Sequence, residues 1–187
     1  MFLTDYIRIY DDAMSHQCCD AFIQTFESSP DTEEIVVADP QEGRQPLRSS
    51  IDCVISAHQE FAVLHGAMVH VVDSIVARYQ SDVMGKLFPQ EFGIENIKMR
   101  KYRCGQDHFS YHTDVADYDT ARRFVSIIWF LNDVEVGGEA VFPHPLLRIR
   151  PRKGRLVMFP SVWMYPHLIE QPHSNDCFVL ETYLHYL

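Results

Sequence analysis

The sequence predicts an α+β fold that is mainly β: a jelly roll or barrel of two sheets, with helices packed on its outside. Three observations predict it. Past Gly93 the chain breaks into about eight short β-rich segments separated by Gly- and Pro-containing turns. Before Gly93 one long stretch carries apolar residues at helical spacing. A chain of 187 residues that is 47 % hydrophobic is large enough for one domain with a substantial core. The reading is therefore a single domain, helical over about residues 1–92 and jelly roll over about 93–187.

Asp5 to Tyr10 reads as a short strand. Ser15 can cap a helix whose apolar positions are Cys19, Phe22, Ile23 and Phe26. Ser28 to Ser50, with Pro30, Pro40, Gly43 and Pro46, reads mainly as loop around a strand at Ile35 to Ala38. Ile51 to Ile55 is a strand. Phe61, Leu64, Met68, Val71, Ile75 and Tyr79 then form one stripe of a helix from about His58 to Gln80. The later strands are Asn96 to Cys104, Phe109 to His112, Arg123 to Leu131, Glu139 to Phe142, Leu147 to Ile149, Arg155 to Phe159, His167 to Ile169 and Cys177 to His185. Gly105, Gly137-Gly138, Pro143, Pro145, Gly154 and Pro172 mark the turns.

Sixteen basic against 26 acidic residues give a net charge of −10. A duplex binder shows a positive balance or a basic patch, so no nucleic-acid partner is expected. No uninterrupted apolar run of bilayer length is present, so no membrane partner is expected either. Met1 to Asp12 alternates apolar and charged residues, unlike a secretory signal. The five cysteines form no CxxC pair. They read as reduced, mostly buried thiols in a cytoplasmic protein. G-x-S-x-G, P-loop, G-x-G-x-x-G and H-E-x-x-H are all missing from the sequence.

His112-Thr113-Asp114 is the first candidate site. On an extended strand, residues two apart share a face, so an imidazole and a carboxylate there can hold one ion together. Ten histidines and 26 acids give about one H-x-[DE] by chance, and this chain holds two. The other, His58 to Glu60, falls near a helix start, where residues two apart do not face each other. It reads as the chance match, and His58, His65 and His70 read as surface residues.

The surroundings of His112 raise it above that background. Tyr102-x-x-Gly105 leads into His112-x-Asp114. Arg123-x-x-Ser126 runs to Leu131-Asn132-Asp133. Gly137-Gly138-Glu139 precedes Phe142-Pro143. Pro151-x-x-Gly154-x-Leu156 runs to Phe159-Pro160-Ser161, and His167 is followed by Pro172 and Ser174. These motifs, in this order over about residues 97–187, resemble the 2-oxoglutarate and iron(II)-dependent dioxygenases, specifically the prolyl-4-hydroxylase-like branch. That resemblance implies a double-stranded β-helix (jelly roll) core. It also implies that His112, Asp114 and His167 bind one Fe(II), a donor set that leaves open positions for co-substrate and dioxygen. The implied activity is hydroxylation of an unactivated C–H bond, with 2-oxoglutarate decarboxylated to succinate and ascorbate as a possible reductant. The substrate would be a peptide or a small molecule such as a free amino acid. A closed zinc site would need a fourth protein ligand; His108 could supply it only if the His108-to-His112 stretch were helical.

One position departs from the family. A lysine or arginine usually stands about ten residues after the second histidine, and here Cys177 does. Tyr102 resembles the tyrosine that hydrogen-bonds the distal carboxylate of 2-oxoglutarate, whereas Phe130 falls where some relatives carry a second tyrosine. Three readings stay open. Another base compensates, with Arg100, Arg122, Arg123, Arg148 and Arg155 as candidates. A different 2-oxo acid, or weaker 2-oxoglutarate binding, replaces the usual arrangement. Or the domain binds metal without turnover. If Cys177 points inward, alternation brings Val179, Glu181 and Tyr183 to the same face, with Tyr183 near the iron-bound end of the co-substrate. Trp163 and Tyr165 could form a substrate rim, Glu139 could touch substrate, and Asn132 could bond near the site.

Overall fold

The computed structural model describes residues 2–39, 46–83, 88–143 and 146–187. Pro40, Gly43 and Pro145, read above as loop and turn residues, lie outside them. In chain order the elements are β1 (Arg8–Tyr10), α1 (His16–Ser28), β2 (Glu33–Ala38), β3 (Pro46–Val54), α2 (Ala62–Asp82), β4 (Gly93–Ile94), β5 (Lys98–Tyr102), β6 (His108–His112), β7 (Arg123–Phe130), β8 (Ala140–Pro143), β9 (Leu146–Ile149), β10 (Leu156–Pro160), β11 (His167–Ile169) and β12 (Cys177–His185). The strands run antiparallel in the order β1-β10-β7-β12-β5-β3-β6-β11-β8-β9, with β2 beside β3 and β4 beside β12. Strand β3 makes the corner. Its Ile51–Val54 end pairs with β5, and its Arg48–Ser49 end pairs with β6. One continuous ladder thereby curls into two facing sheets, and the jelly-roll expectation holds.

Two apolar layers follow from strand alternation. On β7, Ile127 and Trp129 face the helices while Ile128 and Phe130 face the opposite sheet; on β10 the pairs are Leu156 and Met158, then Val157 and Phe159. Both faces are buried, which is why these strands read as near-continuous apolar runs. The outer layer packs Cys19, Phe22 and Phe26 of α1 and Met68, Val72, Ile75, Val76 and Tyr79 of α2 on the larger sheet. Ser15 caps α1, its Oγ accepting from Cys18 N–H at 3.2 Å.

Four features differ from the sequence reading. Residues Leu3–Tyr6 form a 3-10 turn, so the first strand keeps only Arg8–Tyr10. Helix α2 starts at Ala62 rather than near His58, because 3-10 turns at Ile55–Ala57 and Gln59–Phe61 precede it and Phe61 offers no capping oxygen. The stretch read mainly as loop is a hairpin, with β2 and β3 paired from Glu33↔Asp52 to Ala38↔Pro46; β2 is almost wholly exposed and so shows no alternation of buried and exposed positions. Finally, the helical stretch Gln59–Asp82 is long and apolar enough, by length and composition, to cross a membrane. Scattered polar residues hid this from a search for unbroken runs. Its Met68, Val72, Ile75, Val76 and Tyr79 are buried on the sheet.

Glycines hold the strand ends where the site needs them. Gly137 and Gly138 both adopt positive φ, +78° and +75°, and a side chain on Gly137 would run into the Gln171 carbonyl. That close approach lets Gly138 N–H donate to Gln171 O at 3.3 Å, while Gly105 N–H donates to Pro172 O at 2.7 Å. The hairpin and the turn before β6 are thereby tied to the end of β11.

Candidate metal centre and co-substrate cavity

Strand pairing brings the two histidines together. His167 opens β11 and sits in register with His112, the last residue of β6. Their rings lie 4.3 Å apart. Asp114 follows β6 by two residues and turns into the same space. His112 Nε2 is 3.7 Å from Asp114 Oδ1, and His167 Nε2 is 3.9 Å from Asp114 Oδ2. The three donor atoms lie within 4.8 Å of one another.

Each donor is aimed from behind. His112 Nδ1 is 2.8 Å from the Ser110 carbonyl, and His167 Nδ1 is 3.2 Å from the Tyr165 carbonyl. A carbonyl only accepts, so Nδ1 carries the proton and Nε2 presents its lone pair to an ion. Asp114 Oδ2 accepts from Ser126 Oγ at 2.5 Å, and Ser161 Oγ lies 2.8 Å from Ser126 Oγ. Since the Ser126 proton goes to Asp114, Ser161 donates to Ser126. Tyr183 O–H reaches Asp114 Oδ1 at 3.3 Å and also contacts Glu181. Phe109 stacks on His112 with 3.4 Å between centroids, and Phe142 and Phe159 flank His167.

The same burial sets the electrostatics. Loss of hydration, then the nearby His167, hold the His112 imidazole well below the usual histidine range, so it stays neutral. Burial first, then Asp114 and Glu181, push the Tyr183 phenol well up and keep it a donor. Two imidazoles and one carboxylate on one face fit Fe(II) and leave other positions open. His108 is not in this cluster: it lies on a strand, and its Nε2 is 3.1 Å from the Pro46 carbonyl.

A narrow cavity continues from the triad. It is lined by Arg100, Tyr102, Phe109, His112, Ile128, His167, Ile169, Val179 and Glu181. Cys177, Val179, Glu181 and Tyr183 do share the inner face of β12, and Cys177 sits opposite Tyr102. Burial pushes the Cys177 thiol up to about 12, so it carries no charge. Of the five candidate arginines only Arg100 lines the cavity. Arg123 pairs with Glu95, Arg148 with Glu170, and Arg155 with Asp11, while Arg122 holds Tyr186 through its backbone. Phe130 is fully buried in the inner core.

The weaker candidates separate. Trp163 is 76 % exposed, but Tyr165 is buried and its O–H donates to Leu3 O at 3.2 Å. Tyr165 is therefore a core residue and no rim, packed in the inner apolar layer. Asn132 clips strand ends, bonding Asp176 O and Phe178 N–H at 2.7 and 2.9 Å. Glu139 lies 3.7 Å from Arg148. His58 and Glu60 do approach each other, with Asp31, a gathering the helix argument did not foresee because they precede α2, His58 being extended and Glu60 lying in a 3-10 turn. Sequence reasoning missed the orienting roles of Ser126 and Ser161 and the placement of Glu181 against Arg100. Polar residues inside otherwise apolar strands were the available signal.

The family model for the 2OG-Fe(II) oxygenase superfamily matches residues 97–185, the stretch that holds every residue of the triad. Over that stretch, just under half of its length, the chain is similar to that superfamily. Its relatives include two from Arabidopsis thaliana. Probable prolyl 4-hydroxylase 7 is 27 % identical over 147 residues, covering 75 % of this chain and 42 % of the relative. Probable prolyl 4-hydroxylase 11 is 32 % identical over 111 residues, covering 55 % and 38 %. The chain thus spans about two-fifths of the length of the curated relatives it matches. Among solved structures, a Trichoplax adhaerens prolyl hydroxylase, in complex with a hypoxia inducible factor oxygen degradation domain peptide fragment, superposes with a TM-score of 0.74. It is 16 % identical, with 97 % of this chain and 84 % of that chain covered. The viral collagen prolyl hydroxylase of Paramecium Bursaria Chlorella virus-1, in a 2OG complex, gives 0.67 at 18 % identity, covering 97 % and 96 %. At such identities these structures bear out the fold alone, whereas the family match and the triad agree on Fe(II) and 2-oxoglutarate as cofactors.

Proposed function

We propose that this chain is an Fe(II)- and 2-oxoglutarate-dependent dioxygenase that hydroxylates an unactivated C–H bond, prolyl-4-hydroxylase-like, with a prolyl residue in a peptide as substrate and ascorbate as supporting reductant. The observation that carries this is the oriented triad: two Nε2 donors fixed by backbone carbonyls and a carboxylate held by Ser126. Bound Fe(II) and 2-oxoglutarate would supply dioxygen activation coupled to decarboxylation. The chain's own part is to hold three donors on one face, fix the Asp114 carboxylate through Ser126 and Tyr183, and exclude water with Phe109, Phe142, Phe159 and Ile128.

A peptide substrate is supported by the relatives' names and by the surface beside the triad. Tyr118 and Trp163 stand exposed on two loops tied together by Val115 N–H to Ser161 O at 3.2 Å. A groove lined by Pro46, Gln106, Ser110 and Leu168 shares Phe109 and Ile169 with the cavity. The net charge of −10 supports a partner other than nucleic acid. Five free thiols support a reducing, cytoplasmic setting. The test is incubation with Fe(II), ascorbate, oxygen and 2-oxoglutarate, with succinate quantified and proline-containing peptides weighed by mass spectrometry. Succinate with peptide gain of one oxygen is the predicted result; no succinate with any peptide or amino acid would overturn the reading.

A further inference from the structure

A 2-oxo acid with a second carboxylate needs a cation in an otherwise apolar cavity, because an unpaired buried charge is costly. At the inward position opposite Tyr102 stands Cys177, an uncharged thiol whose ionisable neighbours, Asp176 and Glu139, are both acidic. The cavity nevertheless contains a cation. Arg100 leaves β5 two residues before Tyr102, on the same face, and only 6 % of it is exposed. Its Nη1 pairs with Glu181, and its Nε lies 3.2 Å from Asp52 Oδ2. Asp52 has a second cation, Arg48, also at 3.2 Å. Glu181 has a second donor, the Tyr183 hydroxyl. Both carboxylates thus keep a partner if Arg100 turns to another, and a guanidinium has five N–H donors to share.

We propose that Arg100 receives the second carboxylate of the 2-oxo-acid co-substrate, in the role that a cation at position 177 would fill, and that Glu181 competes with the co-substrate for it. This inference rests on the dioxygenase reading above and specifies how that site recognises its co-substrate. Two guanidiniums, Arg48 and Arg100, face two carboxylates, Asp52 and Glu181. An incoming carboxylate therefore meets a cation already shared, and removing the Glu181 charge frees Arg100 for it.

The experiment is calorimetric titration of Mn(II)-loaded protein, without oxygen, using 2-oxoglutarate and 2-oxopentanoate. The two acids share a five-carbon chain and differ in whether it ends in a carboxylate. Wild type is expected to prefer 2-oxoglutarate. Glu181→Gln should tighten 2-oxoglutarate about tenfold and leave 2-oxopentanoate unchanged; Arg100→Gln should weaken 2-oxoglutarate by at least about tenfold, so that the two acids bind alike. Arg100→Gln/Glu181→Gln removes both members of the pair, guards against misfolding of the single variant, and should also lose the preference. Retained preference in both Arg100 variants, or weaker 2-oxoglutarate binding in Glu181→Gln, overturns the proposal. A wild type that binds both acids equally overturns it too, while leaving a 2-oxo-acid oxygenase standing. If no metal-loaded protein binds either acid, the underlying reading falls and takes this one with it.

Discussion

Replacing Ser126 with alanine tests whether the triad is built for a metal ion. Asp114 is buried, and its Oδ2 depends on Ser126 Oγ at 2.5 Å. A hydrogen bond to a buried charge is worth about 1.5–3 kcal/mol. The other carboxylate oxygen accepts a longer hydrogen bond, 3.3 Å from Tyr183, so the Ser126→Ala carboxylate is freer to rotate away from the two Nε2 atoms. The loss corresponds to Mn(II) or Fe(II) affinity weakened about tenfold to a hundredfold, the range typical of partners that orient a metal ligand. Ser161 touches Asp114 only through Ser126, so Ser161→Ala should cost less, about 0.5–1.5 kcal/mol. A competition titration against a coloured chelator, without oxygen, measures both. Unchanged affinity in Ser126→Ala, or a larger effect from Ser161→Ala, would refute the reasoning.

Three further outcomes follow. In the metal-free protein the folded His112 titrates below its unfolded value of about 6.5, so the unfolded chain takes up the proton first. Stability is then fully retained above pH 6.5 and falls below it, by at most about 1.4 kcal/mol per pH unit; a wild-type minus His112→Gln difference that stays flat from pH 7 to about 5 would contradict this. Asp107→Asn should cost about 2–3 kcal/mol in urea unfolding, because buried Asp107 accepts from Arg103 N–H and Nε–H at 2.9 and 2.7 Å and so shapes the turn into β6; a change under about 0.5 kcal/mol would show that the turn stands without it. Gly137→Ala should lower the melting temperature by several degrees, about 1–3 kcal/mol, through its positive φ and the Gln171 carbonyl; an unchanged melt would contradict the close approach.

The strands of the inner core were the most legible part of the sequence. Cys177, Val179, Glu181 and Tyr183 share a face because a strand buried on both sides keeps its period of two. The same rule, applied from Tyr102, already pairs Arg100 with it on β5, so the inward arginine was readable. That Arg100 meets Glu181 was not, since the contact joins β5 to β12. Ser126 and Ser161 were visible as motif residues, but their chain to Asp114 exists only after β7, the end of β10 and the loop past β6 converge. Tyr165 could not be separated from Trp163, because a loop has no period to say which side chain turns inward. The β2–β3 hairpin was obscured for a related reason: β2 lies off the main ladder and almost wholly exposed, so no buried face imposes alternation on it.

The most direct measurement of the central claim is Fe(II)-dependent release of succinate from 2-oxoglutarate, compared between wild type and His167→Ala. His167 is buried in register with His112, and among the described residues its ring hydrogen-bonds the Tyr165 carbonyl through Nδ1 while Nε2 faces Asp114, so its removal takes one donor from the ion. Wild type should release succinate only with added Fe(II), and His167→Ala should release none while still folding. Succinate release by His167→Ala at the wild-type rate, or by wild type stripped of iron, would contradict the account.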